Sequence, residues 1–170
     1  MKILSLLIIA LLLQVTLLAQ SAPKWKIEDV QKYIDAQPGD VVVINFWATF
    51  CKPCVAEIPS FISTVKNYRD SGVSLLLVSL DLPGAYPEKL NAFVKEKGYD
   101  TKVAWLNENN ADYFCPKIDK KWSGSIPSTL FINKKTGYHK FHEEELAPAK
   151  FQSELELALH SVAAPAQGTN

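Results

Sequence analysis

An α/β fold is predicted by three features of the chain. VVVINFWA at 41–48 and GVSLLLVSL at 72–80 are unbroken apolar runs, the pattern of strands covered on both faces. Between them Val55, Ile58, Ile62, Val65 and Tyr68 recur at helical spacing, which makes a right-handed βαβ crossover. IPSTLFIN at 126–133, then KKTG and YHKFHE, reads as a strand turning into a hairpin. With 170 residues, 48% of them apolar, the chain can bury one continuous core without cross-links.

The elements follow in order. Lys2 precedes an apolar run from Ile3 to Ala19, so residues 1–20 read as a signal peptide or an N-terminal membrane anchor. The run is slightly short of the ~20 residues of a comfortable span, while cleavage after Ala19 would place Leu17 where a small residue is preferred. Either way the body is expected in a bacterial periplasm, where disulfides persist. IEDVQKYIDA is a short amphipathic helix ended by Pro38-Gly39. Cys51 and Cys54 then stand at the mouth of the crossover helix, with Pro53 near its first position and Pro59 predicted to kink it. Pro87 opens a helix that turns Leu90, Phe93 and Val94 inward and stops at Gly98. VAWL at 103–106 is a short strand, and NNADYFCPKID one irregular helical turn. Pro148 starts the last helix, with Phe151, Leu155, Leu159 and Val162 on one face, and 164–170 is a disordered tail. A single domain over 24–163 is expected.

Lys+Arg and Asp+Glu balance at 18 each, so there is no basic surplus to draw the chain to nucleic acid. Three cysteines are too few, and oddly numbered, for a disulfide scaffold. Cys51 and Cys54 are a staple, a metal clip or a redox pair. A staple over so short a loop restricts the unfolded chain weakly. Zinc usually wants four ligands, and neither a second CxxC nor histidines at ligand spacing are present. Val55 follows the pair, so the CxxCH haem signature is absent as well. Cys115 reads as a buried small hydrophobe. His139, His142 and His160 read as surface or edge residues, HEEE at 142–145 as a solvated loop, and Trp105 and Trp122 as packing.

The string NFWATFCKPCVAEIP, followed by SIPSTLFI at 125–132, resembles the thioredoxin superfamily, and within it the exported TlpA/ResA-like thiol-disulfide oxidoreductases. Asn45 stands where cytosolic thioredoxins carry a buried aspartate, and Glu57 matches the group's CxxCxxExP pattern. The stretch between Leu80 and Ile126 leaves room for the helix and strand that this group inserts. Phe50 departs from it, replacing the usual tryptophan before the first cysteine. The resemblance implies a three-layer fold: a central mixed sheet with helices on both faces, and a cis Ile126–Pro127 bond facing the cysteines.

It also implies the roles. Cys51 is the nucleophile, because a helix N-terminus with Lys52 beside it favours the thiolate. Cys54 resolves the mixed disulfide, so Cys51–Cys54 is a redox-active disulfide. Glu57, one turn on, takes the Cys54 proton. Trp47 and Phe50 supply flat apolar surface around the thiol, and Pro127 shapes a groove in which the Ile126 backbone pairs with a client as an added strand. No metal and no cofactor are expected. The implied clients are disulfides of exported proteins, including apocytochrome c, with a membrane thiol carrier as electron donor, and the protein is expected to be a monomer. Two alternatives remain. A thiol peroxidase would want a PxxxTxxC arrangement, of which only Thr49, two before Cys51, is suggestive; a dithiol copper-binding module would want CxxxC spacing.

Overall fold

The structure, a computed structural model, describes residues 21–163. The signal or anchor assigned to 1–20 and the tail at 164–170 lie outside the described residues. Among the described residues no helix is long and apolar enough to cross a membrane.

The chain forms β1 (Lys24–Trp25), α1 (Ile27–Ala36), β2 (Val41–Trp47), α2 (Lys52–Asn67), β3 (Val73–Ser79), α3 (Glu88–Lys97), β4 (Lys102–Leu106), α4 (Ala111–Ile118), β5 (Ser128–Asn133), β6 (Tyr138–His142) and α5 (Pro148–His160). Six strands make one mixed sheet in the order β1-β4-β3-β2-β5-β6. β1, β4, β3 and β2 run parallel, and β2 pairs antiparallel with β5, which turns into β6. All seven residues of β2 are buried, as its unbroken apolar run requires of a strand covered on both faces.

Side chains alternate across a strand, and this divides the core. Val41, Val43 and Trp47 of β2 join α2, α3 and α5 on one face; Val42, Ile44 and Phe46 join α1 and α4 on the other. Phe61 of α2 stacks on Phe151 of α5, ring centroids 3.9 Å apart.

Several expectations change. The strand placed at Ile126 begins at Ser128, because Pro127 has no N–H for the ladder. The irregular turn near Cys115 is a regular helix of eight residues, α4. β1, two residues paired on β4, carried too little pattern to be foreseen. Pro59 does lie inside α2, as expected, within a helix of 16 residues. Val162 lies past the end of α5 and is 86% exposed, so it does not share the inward face of Phe151 and Leu155. Gly98 does adopt the left-handed conformation expected of a helix stop, φ 64°.

Candidate active site

β2, an interior strand, ends at Trp47 at the carboxyl end of the parallel strands, and the turn Ala48–Phe50 leads into α2. Cys51 is the N-cap of that helix: its N–H donates to the Ala48 carbonyl at 3.0 Å, and its own carbonyl accepts the Val55 N–H at 3.1 Å. Pro53 falls in the first turn, where an N–H has no partner in any case. Cys51 and Cys54 are disulfide-bonded, their Cα atoms 5.3 Å apart. Cys51 keeps 9% of its surface exposed and Cys54 none, so a partner's sulfur can reach only the first.

Glu57 lies one turn beyond Cys54. It is buried, at 4% exposure, and is gripped from two sides. The Asn45 amide donates to Oε1 at 2.9 Å, and the Leu146 N–H, from the loop before α5, donates to Oε2 at 2.8 Å. Asn45 reaches it because residues 41, 43, 45 and 47 share the face of β2 beneath α2. The same amide donates at 3.0 Å to the hydroxyl of Thr129, the residue paired with Asn45 on β5. Burial pushes the Glu57 carboxyl up from 4.5 to about 7; the Leu146 and Asn45 donors oppose that rise, and the charge of Glu145 adds to it. A carboxyl poised near neutrality can hold or release a proton at working pH.

The Ile126–Pro127 bond is cis. Because Phe46 pairs with Ser128, it lies at the end of the sheet from which the Cys51 turn departs, and Ile126 packs on the apolar cluster that contains Cys51, Cys54 and Trp47. Phe50, in the turn just before Cys51, is 65% exposed.

Trp47 corrects the reading of its side chain as contact surface. It is completely buried, packed on Phe93 and Tyr99 with ring centroids 6.0 and 5.6 Å away, in the apolar cluster that also holds Cys51 and Cys54. The alternation that turns Asn45 inward turns Trp47 inward too. His142 is likewise not a surface residue: it is 8% exposed and bonded to the Glu154 carboxylate at 2.9 Å. Cys115 is buried as expected, which pushes its thiol up to about 11.

Sequence reasoning passed over Asp81. It follows β3 and accepts the Thr49 N–H at 3.1 and 3.2 Å, the Thr49 hydroxyl, and the Ser79 hydroxyl at 2.7 Å. One buried carboxylate therefore pins the turn that carries Phe50 and Cys51. The available signal was a polar residue just past the carboxyl end of a parallel strand, where α/β sheets place their sites. Asp81→Ala leaves the Thr49 N–H and two hydroxyls without this acceptor. It is expected to lower the stability of the oxidised protein by about 2 kcal/mol, read from the urea midpoint.

A cleft of about 940 Å³ opens elsewhere, lined by Val65, Val94, Tyr99 and Val103 among others, and includes neither Cys51 nor Cys54, nor Glu57, Ile126 or Pro127.

The AhpC/TSA family model matches residues 18–137, most of the chain. The chain belongs to the AhpC/TSA family. Similar to this AhpC/TSA member is the thiol-disulfide oxidoreductase ResA of Oceanobacillus iheyensis, 32% identical over 119 residues, a match covering 66% of this chain and 57% of that relative. The chain thus spans less than two thirds of its length. The thioredoxin-like protein YneN of Bacillus subtilis is 25% identical over 144 residues, covering 81% of this chain and 78% of its own. Among solved structures, a thioredoxin-related protein from Neisseria meningitidis serogroup B superposes with a TM-score of 0.63 at 22% identity, over 74% of this chain and 89% of that one. The fold is thioredoxin-like.

Proposed function

We propose that this chain is an exported thiol-disulfide oxidoreductase that reduces disulfides of other exported proteins. One observation carries the reading. A disulfide caps a helix with one cysteine keeping 9% of its surface exposed and the other none, and a buried carboxyl of raised pKa stands one turn behind. Relatives named as thiol-disulfide oxidoreductases support it.

In the reduced protein the Cys51 thiolate attacks a client disulfide, forming a mixed disulfide and expelling one client thiolate. Glu57 takes the Cys54 proton, and the Cys54 sulfur attacks Cys51. The client leaves with both its sulfurs reduced, and the two electrons it gained leave the Cys51–Cys54 pair oxidised. A membrane thiol donor then restores the dithiol. Cys51, Cys54 and Glu57 do the chemistry, while Phe50, Ile126 and Pro127 form the docking rim. The apolar segment at 1–20 supports delivery to the periplasm, either free or tethered, and apocytochrome c awaiting haem is a fitting client. Thr49, which a peroxidase would recruit, turns its hydroxyl to Asp81.

The test is a redox titration of the pair against glutathione or dithiothreitol, together with reduction of a disulfide-bonded client peptide. A midpoint near or below about −250 mV with rapid client reduction is expected, whereas a value near about −120 mV would reverse the direction to oxidation. Consumption of hydrogen peroxide, or copper retained through purification, would replace the reading altogether.

A further inference from the structure

The tract HEEE, expected to be a solvated loop, contains a side chain with an internal task. Glu143 follows β6 and crosses to the turn Ser123–Gly124–Ser125, which leads directly into Ile126–Pro127. Its Oε1 accepts the Ser123 N–H at 3.0 Å and the Ser125 N–H at 3.0 Å; Oε2 accepts the Ser123 N–H at 3.2 Å, and the Ser123 hydroxyl donates as well. Gly124 has φ +94°, a conformation that lets neighbouring N–H groups converge on one anion. Desolvation pushes the Glu143 carboxyl up, but the Ser123 and Ser125 donors outweigh it and hold it below the usual range.

The other side of this turn is fixed too. The Ser125 carbonyl accepts the Trp122 indole N–H at 2.9 Å and the Ser128 hydroxyl at 2.6 Å. Trp122 is itself buried against Phe46, ring centroids 4.4 Å apart. The N–H and the carbonyl of Ser125 are therefore both committed, and the position of the next residue, Ile126, is set by them.

We propose that Glu143 is a positioning residue for client docking: its carboxylate fills the anion-binding turn and so holds the Ile126–Pro127 backbone ready to receive a client strand, without entering the sulfur chemistry. This rests on the docking role given above to Ile126 and Pro127. Without the carboxylate, three donors lose their common acceptor to water and the turn can relax. A client strand must then order that backbone as it binds, which weakens association. A small disulfide makes no strand contact and is indifferent.

The experiment uses the full chain, reduced, as wild type, Glu143→Gln and Glu143→Ala, with a second perturbation of the same turn in Gly124→Ala. Each is assayed against a disulfide-linked peptide and against a small aromatic disulfide, with circular dichroism to select folded variants. The expected result is a roughly tenfold fall in the second-order rate with peptide, carried by KM, for Glu143→Ala and Gly124→Ala. Glu143→Gln, which keeps one acceptor oxygen, falls between. The rate with the small disulfide stays within about twofold and the midpoint potential is unmoved. Peptide rates unchanged in the folded variants, or both rates falling together, overturn the proposal. A wild-type protein that reduces no peptide at all strikes instead at the oxidoreductase reading.

Discussion

Cys54→Ser is expected to accumulate a covalent complex between Cys51 and each client it attacks, while turnover collapses. Cys51, which keeps 9% of its surface exposed, can still open a client disulfide, but the sulfur that would release the product is gone. Intramolecular attack benefits from effective molarities of roughly 10⁵–10⁸ M, and free thiols at millimolar levels do not approach this. A loss of about 10³-fold or more in steady-state rate is therefore a lower expectation. Non-reducing electrophoresis and mass spectrometry would show the adducts. Cys51→Ser is expected to trap nothing, because Cys54 has no exposed surface from which to attack. Equal trapping by the two variants would overturn the assignment of attacker and resolver.

That asymmetry was legible in the sequence. A residue immediately before a helix lies at its open end, and one three positions later faces back over the first turn. Glu57 follows by the same spacing. The interior was less fully read, although the means were present: once 41–48 is a strand, alternation places Asn45 and Trp47 on one face, so Trp47 belongs to the core that holds Asn45. His142 sits across the ladder from the fully buried Thr129, a pairing that only the hairpin register reveals.

What the sequence hid is mostly non-local. Asp81 acts on Thr49 across 32 positions, Leu146 on Glu57 across 89, and Glu143 on Ser123 across 20. Each is a side chain or N–H that meets its partner only after the sheet has formed, and none is announced by periodicity. A charged tract after a hairpin looks solvated when read alone. It takes the fold to show that the loop after β6 crosses the active-site end of the sheet, where Glu143 binds the turn before Pro127 and Leu146 binds Glu57. The loop thus ties the segment proposed to dock clients to the carboxyl proposed to serve the resolving sulfur.

Glu57→Gln tests the second member of that link through both stability and rate. The folded protein holds the Glu57 proton up to about pH 7, against an ordinary value of 4.5. Below about pH 4.5 folded and unfolded chains are both protonated, and the full stability is present. As pH rises towards 7 the unfolded chain gives up the proton while the folded one keeps it, so stability falls; above 7 both are ionised and the loss is complete. A rise from 4.5 to about 7 corresponds to about 3 kcal/mol. The stability difference between the glutamine variant and the wild type is therefore expected to move by about 3 kcal/mol in favour of the variant between pH 4 and pH 8, measured by urea unfolding of the oxidised forms. The resolving step runs the other way. Only ionised Glu57 can accept the Cys54 proton, so the wild-type rate should climb through about pH 7 and the variant should lack that limb. Superimposable stability curves and rate profiles for the two proteins would mean that this carboxyl neither stores the proton nor moves it. A variant that gains stability at high pH and loses the limb has exchanged catalytic use of a buried acid for a better-satisfied core.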